Sequence, residues 1–259
     1  MPQNFYSERQ IAQIRESGRL AAQCLQIIRE MVKPGVTTRQ MDTAVTEFIV
    51  KQGCRSPFKN YQFPGKTPFP GSLCASVNEV VVHGLPDDKP LKEGDLVSID
   101  VGVVKNGFIG DTAWTFCVGE PDAKAKKLLE VGEKSLYEGI AAMKPRGVLA
   151  EVARAIQNHV ESNGFSVVRE FVGHGVGLSL HEEPQVKNYV EMKDFLPGFR
   201  TVLKPGTVIA VEPMVNEGGP EVESEGSDWP VRTKDRSRSV HFEHTVAVLA
   251  DRVEILTKL

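Results

Sequence analysis

The fold is decided by a stretch that occurs twice, first as Glu93-Gly94-Asp95-Leu96-Val97-Ser98-Ile99-Asp100 and again as Pro205-Gly206-Thr207-Val208-Ile209-Ala210-Val211-Glu212. Each copy is a turn followed by an apolar, β-branched strand, and each ends in a carboxylate. A carboxylate that closes an apolar strand is costly to bury unless a positive charge pairs with it. Two acids at matching places in a repeat therefore suggest that both halves of the chain point an acid at one shared cation.

Helix signals on both sides of these strands also recur in pairs. Two capping-box patterns and one aspartate cap open three helices, a Lys-Pro pair leads into a fourth, and glycines end the second and fourth. The residues that carry these signals are Ser7, Gln10, Thr37, Gln40, Gly53, Asp122, Pro145 and Gly164. Because helices and carboxylate strands match in the same order, we predict one duplicated domain over residues 1–259, with pseudo-symmetric halves at about 8–118 and 122–255.

Composition excludes several classes of protein. The 259 residues are 41% hydrophobic and 25% charged, which is close to the average for a globular protein. A net charge of −3 argues against a nucleic-acid footprint, which is normally basic. No apolar run approaches the roughly 20 residues of a membrane helix, and the polar N-terminus lacks a secretory core. Four scattered cysteines without a Cys-x-x-Cys pair favour a reduced, cytoplasmic protein.

A hairpin brings two acids of the first half together. Asn106-Gly107 separates two apolar runs, and this dipeptide strongly favours a type I′ turn. In that register Gly102 faces Asp111, so Asp100 and Asp111 are diagonal neighbours on one face, with Cα atoms roughly 7–8 Å apart. Two converging ionised acids repel, so one takes a proton or a cation lies between them. Two solvated surface acids remain the alternative.

The second half offers a similar set of donors. Glu212 ends its first strand, and Glu243 lies within a later predicted strand, Val240 to Leu249. His174 lies among three glycines, whose lack of a side chain would let it approach a ligand closely. Two Asp, two Glu and one His form a hard donor set that suits divalent manganese, iron, cobalt or zinc. Bridging carboxylates are expected where two cations lie about 3.5–4 Å apart.

These residues resemble the five metal ligands of the methionine aminopeptidases. The five, in chain order, are Asp100, Asp111, His174, Glu212 and Glu243. Flanking motifs agree over essentially the whole chain: Ser76-Val77-Asn78-Glu79, His83-Gly84, Gly173 to Gly177, His181-Glu182-Glu183-Pro184, Glu212-Pro213-Met214-Val215 and Thr233-Lys234-Asp235. The resemblance implies the α+β pita-bread fold, a curved antiparallel sheet backed by two pairs of helices with an internal pseudo-twofold repeat. The short chain is similar to the compact type I enzymes.

The resemblance also implies a role for each site residue. Asp111 and Glu243 would bridge two divalent ions, Asp100 would complete one side, and His174 and Glu212 the other. Glu212 would also accept the proton of the attacking water. The outer histidines His83 and His181 would contact substrate and stabilise the tetrahedral intermediate. The expected methionine pocket comprises Phe69, Cys74, Leu180 and Trp229, and a monovalent-cation site involves Asn78, Val80 and Ser239.

Some positions depart from the family pattern. Leu180 stands where Phe is common, and Lys66 and Phe69 stand where many relatives have tyrosines. These departures bear on pocket width and inhibitor preference rather than on the chemistry.

The activity implied is hydrolytic removal of N-terminal methionine from nascent proteins, with a preference for a small second residue. A cytoplasmic monomer is expected, with no membrane or nucleic-acid partner. Transient contact with the ribosome is expected because the substrate would be a nascent chain, although no residue specifies it. Two alternatives remain open at this point: a pita-bread peptidase that cuts X-Pro bonds, and a non-catalytic pita-bread module that binds peptides.

Overall fold

The structure is a computed structural model that describes residues 3–198, 200–224 and 229–258. Within these residues the chain forms four α-helices, one short 3-10 helix and fourteen short to medium strands. The helices are α1 (Glu8–Met31), α2 (Thr38–Lys51), α3 (Ala123–Ala142) and α4 (Leu149–Ser162), with the 3-10 helix at Met192–Phe195. The strands are β1 (Cys74–Val77), β2 (Val80–Val82), β3 (Leu96–Lys105), β4 (Phe108–Cys117), β5 (Ser166–Val167), β6 (Gly173–Gly175), β7 (Glu182–Val186), β8 (Val208–Val211), β9 (Met214–Asn216), β10 (Val222–Ser224), β11 (Val231–Thr233), β12 (Ser239–His241), β13 (His244–Val248) and β14 (Val253–Ile255).

The predicted helix boundaries are confirmed. Ser7 and Thr37 open α1 and α2 with complete capping boxes. In each box the cap side chain accepts from the backbone N–H of the third helical residue, a glutamine, and the glutamine side chain accepts from the backbone N–H of the cap. Asp122 caps α3 by accepting from the backbone N–H groups of the next turn. Gly53 and Gly164 follow α2 and α4 with φ of +67° and +81°, the left-handed conformation that ends a helix at little cost for glycine.

The β3–β4 hairpin has the predicted register. Asn106 and Gly107 both have positive φ, 52° and 83°, as a type I′ turn requires. Gly102 is paired with Asp111, so Asp100 and Asp111 lie on the same face of the ladder. β1 extends this sheet on the other side of β3 and was not predicted.

One predicted strand of the second half is divided in the structure. The run from Val240 to Leu249 forms two strands, β12 and β13, which are interrupted at Phe242 and Glu243. The break occurs because the Glu243 N–H donates to the carbonyl of Ala113 on β4, at 2.9 Å. A similar break separates β8 from β9 at Glu212-Pro213, where proline has no N–H to donate. Both acids therefore lie where the backbone leaves its own ladder.

The helices cover the strands of their own half. α1 packs on β3 and β4, and α3 packs on β8, β9 and β12. Ile28 of α1 and Met41 of α2 are buried in the core of the first half. Leu136 of α3 and Ile156 of α4 are buried in that of the second half. Among the described residues, no helix is both long and apolar enough to cross a membrane.

Candidate metal centre

The five predicted ligands line one cavity of about 450 Å³. They come from five different places in the chain: Asp100 from β3, Asp111 from β4, His174 from β6, Glu212 after β8, and Glu243 between β12 and β13. Ligand atoms of Asp111, His174 and Glu243 all lie within 4.8 Å of one another. The structure thus brings together the donors that the sequence distributes over both halves.

The acids are buried without enough hydrogen-bond donors to satisfy them. Asp111 and Glu243 are 3% and 2% exposed. One oxygen of each, and Oδ1 of Asp100, has no hydrogen-bond partner among the described residues. A buried carboxylate oxygen without a partner is costly, so a neutralising group is expected there. Oxygen-rich donors with one imidazole fit hard divalent cations.

The raised pKa values of these acids also indicate that a neutralising group is needed beside them. Burial, followed by repulsion from neighbouring acids, raises the pKa of Asp100 and of Glu243 well above the ordinary values. Burial and the charge of Glu212 raise the pKa of Asp111 to about 7, and burial raises that of Glu212 to about 8. Without cations this cluster holds protons near neutral pH, and bound cations would displace them.

The hydrogen bonding and protonation state of His174 suit a metal ligand. Its Nδ1 lies 2.9 Å from the carbonyl oxygen of Gly175, and its Nε2 lies 3.4 Å from Oε1 of Glu212. With Nδ1–H donating to that carbonyl, Nε2 keeps its lone pair. Burial, followed by the nearby His181, lowers the pKa of His174 to about 3, so the ring is neutral at pH 7.

The glycines beside His174 make room for protein rather than for a ligand. A Cβ on Gly173 would lie 2.3 Å from the carbonyl oxygen of Ala210 on β8. A Cβ on Gly175 would lie 2.3 Å from that of Glu183 on β7. The sequence interpretation was therefore wrong about the reason: these glycines allow three strands to approach closely, and this places His174.

Two threonines whose contacts the sequence reasoning missed hold the backbone of Asp111 and Glu243 in place. Thr245 donates to the carbonyl of Asp111 at 2.7 Å and accepts from its N–H at 3.0 Å. Thr112 donates to the carbonyl of Glu243 at 2.7 Å. Each acid's backbone is thus tied to a threonine of the other half. The signal was visible, since a threonine follows each acid within two residues, but local spacing does not reveal a contact across the halves.

His241 and Asn188 also contact Glu212. Nε2 of the buried His241 lies 3.3 Å from Oε2 of Glu212, and Asn188 donates to the Glu212 carbonyl at 3.0 Å. Burial lowers the pKa of His241 to about 4, so its ring is neutral at pH 7. Sequence reasoning gave His241 no role, and no motif singled out Asn188.

The predicted outer histidines flank the acids in the same cavity. Burial, followed by the nearby His181 and His241, lowers the pKa of His83 to about 4, and partial burial lowers that of His181. The Tyr61 hydroxyl lies 2.8 Å from Nδ1 of His181. Tyr61 is a further site residue that sequence reasoning missed, because the surrounding loop has no regular pattern.

The predicted pocket residues line the apolar end of this cavity. Phe69 and Trp229 pack edge to face with centroids 5.3 Å apart, and the Trp229 indole donates to the Thr67 carbonyl. Burial raises the pKa of Cys74 well above its ordinary value, which suits a wall residue rather than a nucleophile. Lys66 lies with Nζ 5.3 Å from the Trp229 ring centroid. Among the described residues, Tyr61 is the one tyrosine that lines the cavity.

The predicted monovalent-cation residues are neighbours in the fold. Ser239 N–H donates to the carbonyl of Asn78 at 2.8 Å, and Val80 begins β2 two residues after Asn78. Cation binding by these residues stays a prediction.

Comparisons with known proteins agree with this geometry. The chain matches the metallopeptidase family M24 over residues 12–250. It is 45% identical over 251 residues to methionine aminopeptidase 1 of Bacillus subtilis, covering 97% of each chain. The crystal structure of methionine aminopeptidase from Thermotoga maritima superposes with a TM-score of 0.93 at 40% identity, covering 100% of both chains.

A more distant likeness shows only the fold. Prolidase from Pyrococcus furiosus is 23% identical, with a TM-score of 0.74, over 98% of this chain and 65% of that protein. The predicted pita-bread arrangement is confirmed by these likenesses, and the X-Pro peptidase and the non-catalytic module are not favoured. The chain belongs to metallopeptidase family M24 and, within it, to the methionine aminopeptidases.

Proposed function

We propose that this chain releases the N-terminal methionine of peptides and nascent proteins by metal-assisted hydrolysis, with two divalent cations in its acidic site. The observation that carries the proposal is a set of three buried acids, the partly buried Asp100 and one neutral histidine around one cavity, with one oxygen each of Asp100, Asp111 and Glu243 unpaired among the described residues. The close relatives named above support the substrate.

The ligands would divide between two cations. Asp111 and Glu243 are the most buried of the four acids, and they would be shared between the ions. Asp100 would complete one side, and His174 with Glu212 the other. Divalent cations in such a site supply Lewis acidity, which activates water near neutral pH and polarises the scissile carbonyl. Manganese, iron, cobalt and zinc all suit these donors.

The protein's own groups would handle the protons. We propose that Glu212 accepts the proton of the attacking water at its carboxylate, which has a neutral histidine on either side. Acceptance there leaves the acid neutral, and a buried site stabilises that form.

His83 and His181 would orient the substrate and stabilise the oxyanion. Both are neutral at pH 7 because their pKa values are lowered, so each carries one N–H donor. With the Tyr61 hydroxyl donating to Nδ1, His181 carries its proton on Nε2 and can donate it to a substrate oxygen. Removal of one such donor typically costs 10²–10³ in kcat.

The apolar end of the cavity would bind the methionine side chain. Phe69, Cys74, Leu180 and Trp229 offer an apolar wall beside the acids. A preference for a small second residue, a cytoplasmic location, action as a monomer and transient contact with ribosomes belong to the same proposal, and the family resemblance supports them.

One experiment tests the central claim. The purified protein is loaded separately with each of the four metals and incubated with Met-Ala-Ser, Met-Leu-Ser and Ala-Pro. We expect free methionine from Met-Ala-Ser, much less from Met-Leu-Ser, and no cleavage of Ala-Pro. Release only from Ala-Pro would contradict the proposal. Calorimetric titration of metal into the metal-free protein counts the ions independently of activity, and one bound ion instead of two would contradict the dinuclear assignment.

A further inference from the structure

The turn from Gly177 to His181 carries two groups that the proposed function assigns to substrate, the pocket wall Leu180 and the donor His181. Its tip is solvent-facing, since Leu178 is 55% exposed and Ser179 is also exposed. Apolar burial at the tip therefore does not hold this turn. Leu180 is 8% exposed and packs in a buried cluster, whereas the tip depends on hydrogen bonds for its position.

Glu182 anchors the tip. Its Oε1 accepts from the backbone N–H of Leu178 at 3.0 Å and from that of Ser179 at 2.8 Å. Hydrogen bonds to a charged acceptor are shorter and stronger than those between neutral groups. The carboxylate thus fixes the tip of the turn from the residue that follows His181.

Tyr6, which lies 176 residues before Glu182 in the sequence, completes the anchor. Its hydroxyl lies 2.8 Å from both carboxylate oxygens of Glu182, and it also accepts from the Leu178 N–H at 2.9 Å. Burial raises the pKa of Tyr6 to about 12, so the hydroxyl keeps its proton and can donate to Glu182. The hydroxyl therefore touches both the anchor and the turn.

Tyr6 is itself firmly placed. It is 5% exposed, and its N–H donates to the Gly206 carbonyl at 2.7 Å. A Cβ on Gly177 would lie 2.3 Å from the Tyr6 hydroxyl oxygen, so only glycine permits this contact. Phe108 packs edge to face on the ring, with centroids 6.5 Å apart.

We propose that Tyr6 is a positioning residue: through Glu182 it holds the Gly177–His181 turn so that Leu180 closes the methionine pocket and His181 faces the substrate. The inference rests on the proposed function for its substrate. Tyr6 does not itself line the cavity, and it reaches the lining only through its hydrogen bonds to Glu182. Its loss should therefore change substrate discrimination and the mobility of the turn more than it changes overall folding.

The test uses Tyr6→Phe, which keeps the ring and removes only the hydroxyl. In the metal-free protein, hydrogen exchange of the Leu178 and Ser179 amides should become at least about tenfold faster, the factor that corresponds to about 1.4 kcal/mol. In the metal-loaded protein, the ratio of kcat/KM for Met-Ala-Ser to that for Leu-Ala-Ser should fall at least about fivefold, because a loose Leu180 wall discriminates less.

Two controls separate positioning from general destabilisation. Ile28→Val, in the core of α1, lowers stability far from the turn and should change neither exchange at the turn nor the discrimination ratio. Glu182→Gln keeps an accepting oxygen and should retain more discrimination than Glu182→Ala. Unchanged exchange in Tyr6→Phe, or faster exchange with an unchanged ratio, would overturn the inference. Failure of the wild-type protein to release methionine would instead refute the proposed function.

Discussion

The hydrogen bonds by which Thr245 and Thr112 link the two halves lead to a quantitative prediction about stability. Thr245→Val nearly preserves shape but removes both hydrogen bonds to the Asp111 backbone, and Thr112→Val removes the single bond to the Glu243 carbonyl. Both threonines are fully buried, so water cannot replace the lost partner without rearrangement. Each buried group left unpaired costs about 1–3 kcal/mol. We expect Thr245→Val to lower the free energy of unfolding by about 2–6 kcal/mol and Thr112→Val by about 1–3 kcal/mol.

The assay is chemical denaturation of the metal-free protein at one pH, followed by calorimetric titration with manganese. Because the threonines orient the backbone of Asp111 and Glu243, the two acids proposed to be shared between the ions, metal affinity should fall about 10–100-fold in each variant. Thr43→Val is the matched control, since Thr43 bonds an exposed carbonyl in α2 and its loss should stay within about 0.5 kcal/mol. The reasoning would be refuted if Thr245→Val cost no more than Thr43→Val, or if Thr112→Val cost more than Thr245→Val.

Three further predictions concern the same site and its support. Asp111→Asn or Glu243→Gln should lower kcat by at least about 10²-fold in a metal-controlled peptide assay, because each acid would serve both ions; near-wild-type turnover would refute the ligand assignment. Gly110→Ala should destabilise the protein by about 1–3 kcal/mol in thermal or chemical denaturation, because the new Cβ would lie 2.3 Å from the backbone nitrogen of Gly18 in α1, and an unchanged melting temperature would contradict that packing. The metal-free protein should lose stability as pH rises from 6.5 to 8.5: the pKa values of Asp111 and Glu212 are raised in the fold to about 7 and about 8, so their stabilising protons are lost through that window, while histidines with lowered pKa are already neutral. Glu212→Gln should flatten that decline, and saturating metal should remove it; a flat profile in the metal-free wild type would refute the raised pKa values.

Signals that act within a few residues were read correctly from the sequence. The capping boxes at Ser7 and Thr37 join residues three apart, and Asn106-Gly107 needs only its own φ angles to set the hairpin register. That register predicted that Asp100 and Asp111 share a face. Chemistry of the donor set and motif resemblance then predicted all five residues that the structure brings around one cavity.

Signals that depend on distant partners could not be read in this way. The apolar run from Val240 to Leu249 looks continuous, yet it breaks where Glu243 donates to Ala113 of the other half. Tyr61 lies in an irregular loop and meets His181 across 120 residues. His241 looked like an ordinary neighbour of a ligand until the fold placed it beside Glu212.

The sequence by itself determined which residues could form helices, turns and a hard-cation donor set, because those properties reside in side-chain chemistry and in contacts along a few residues of backbone. Only the tertiary structure decided how the donors are held. The threonines that tie Asp111 and Glu243, and the Tyr6 hydroxyl that meets Glu182 over 176 residues, join segments from distant parts of the chain. Such contacts exist only after the halves pack, since their cost in chain entropy is met by burial of the shared core rather than by local preference.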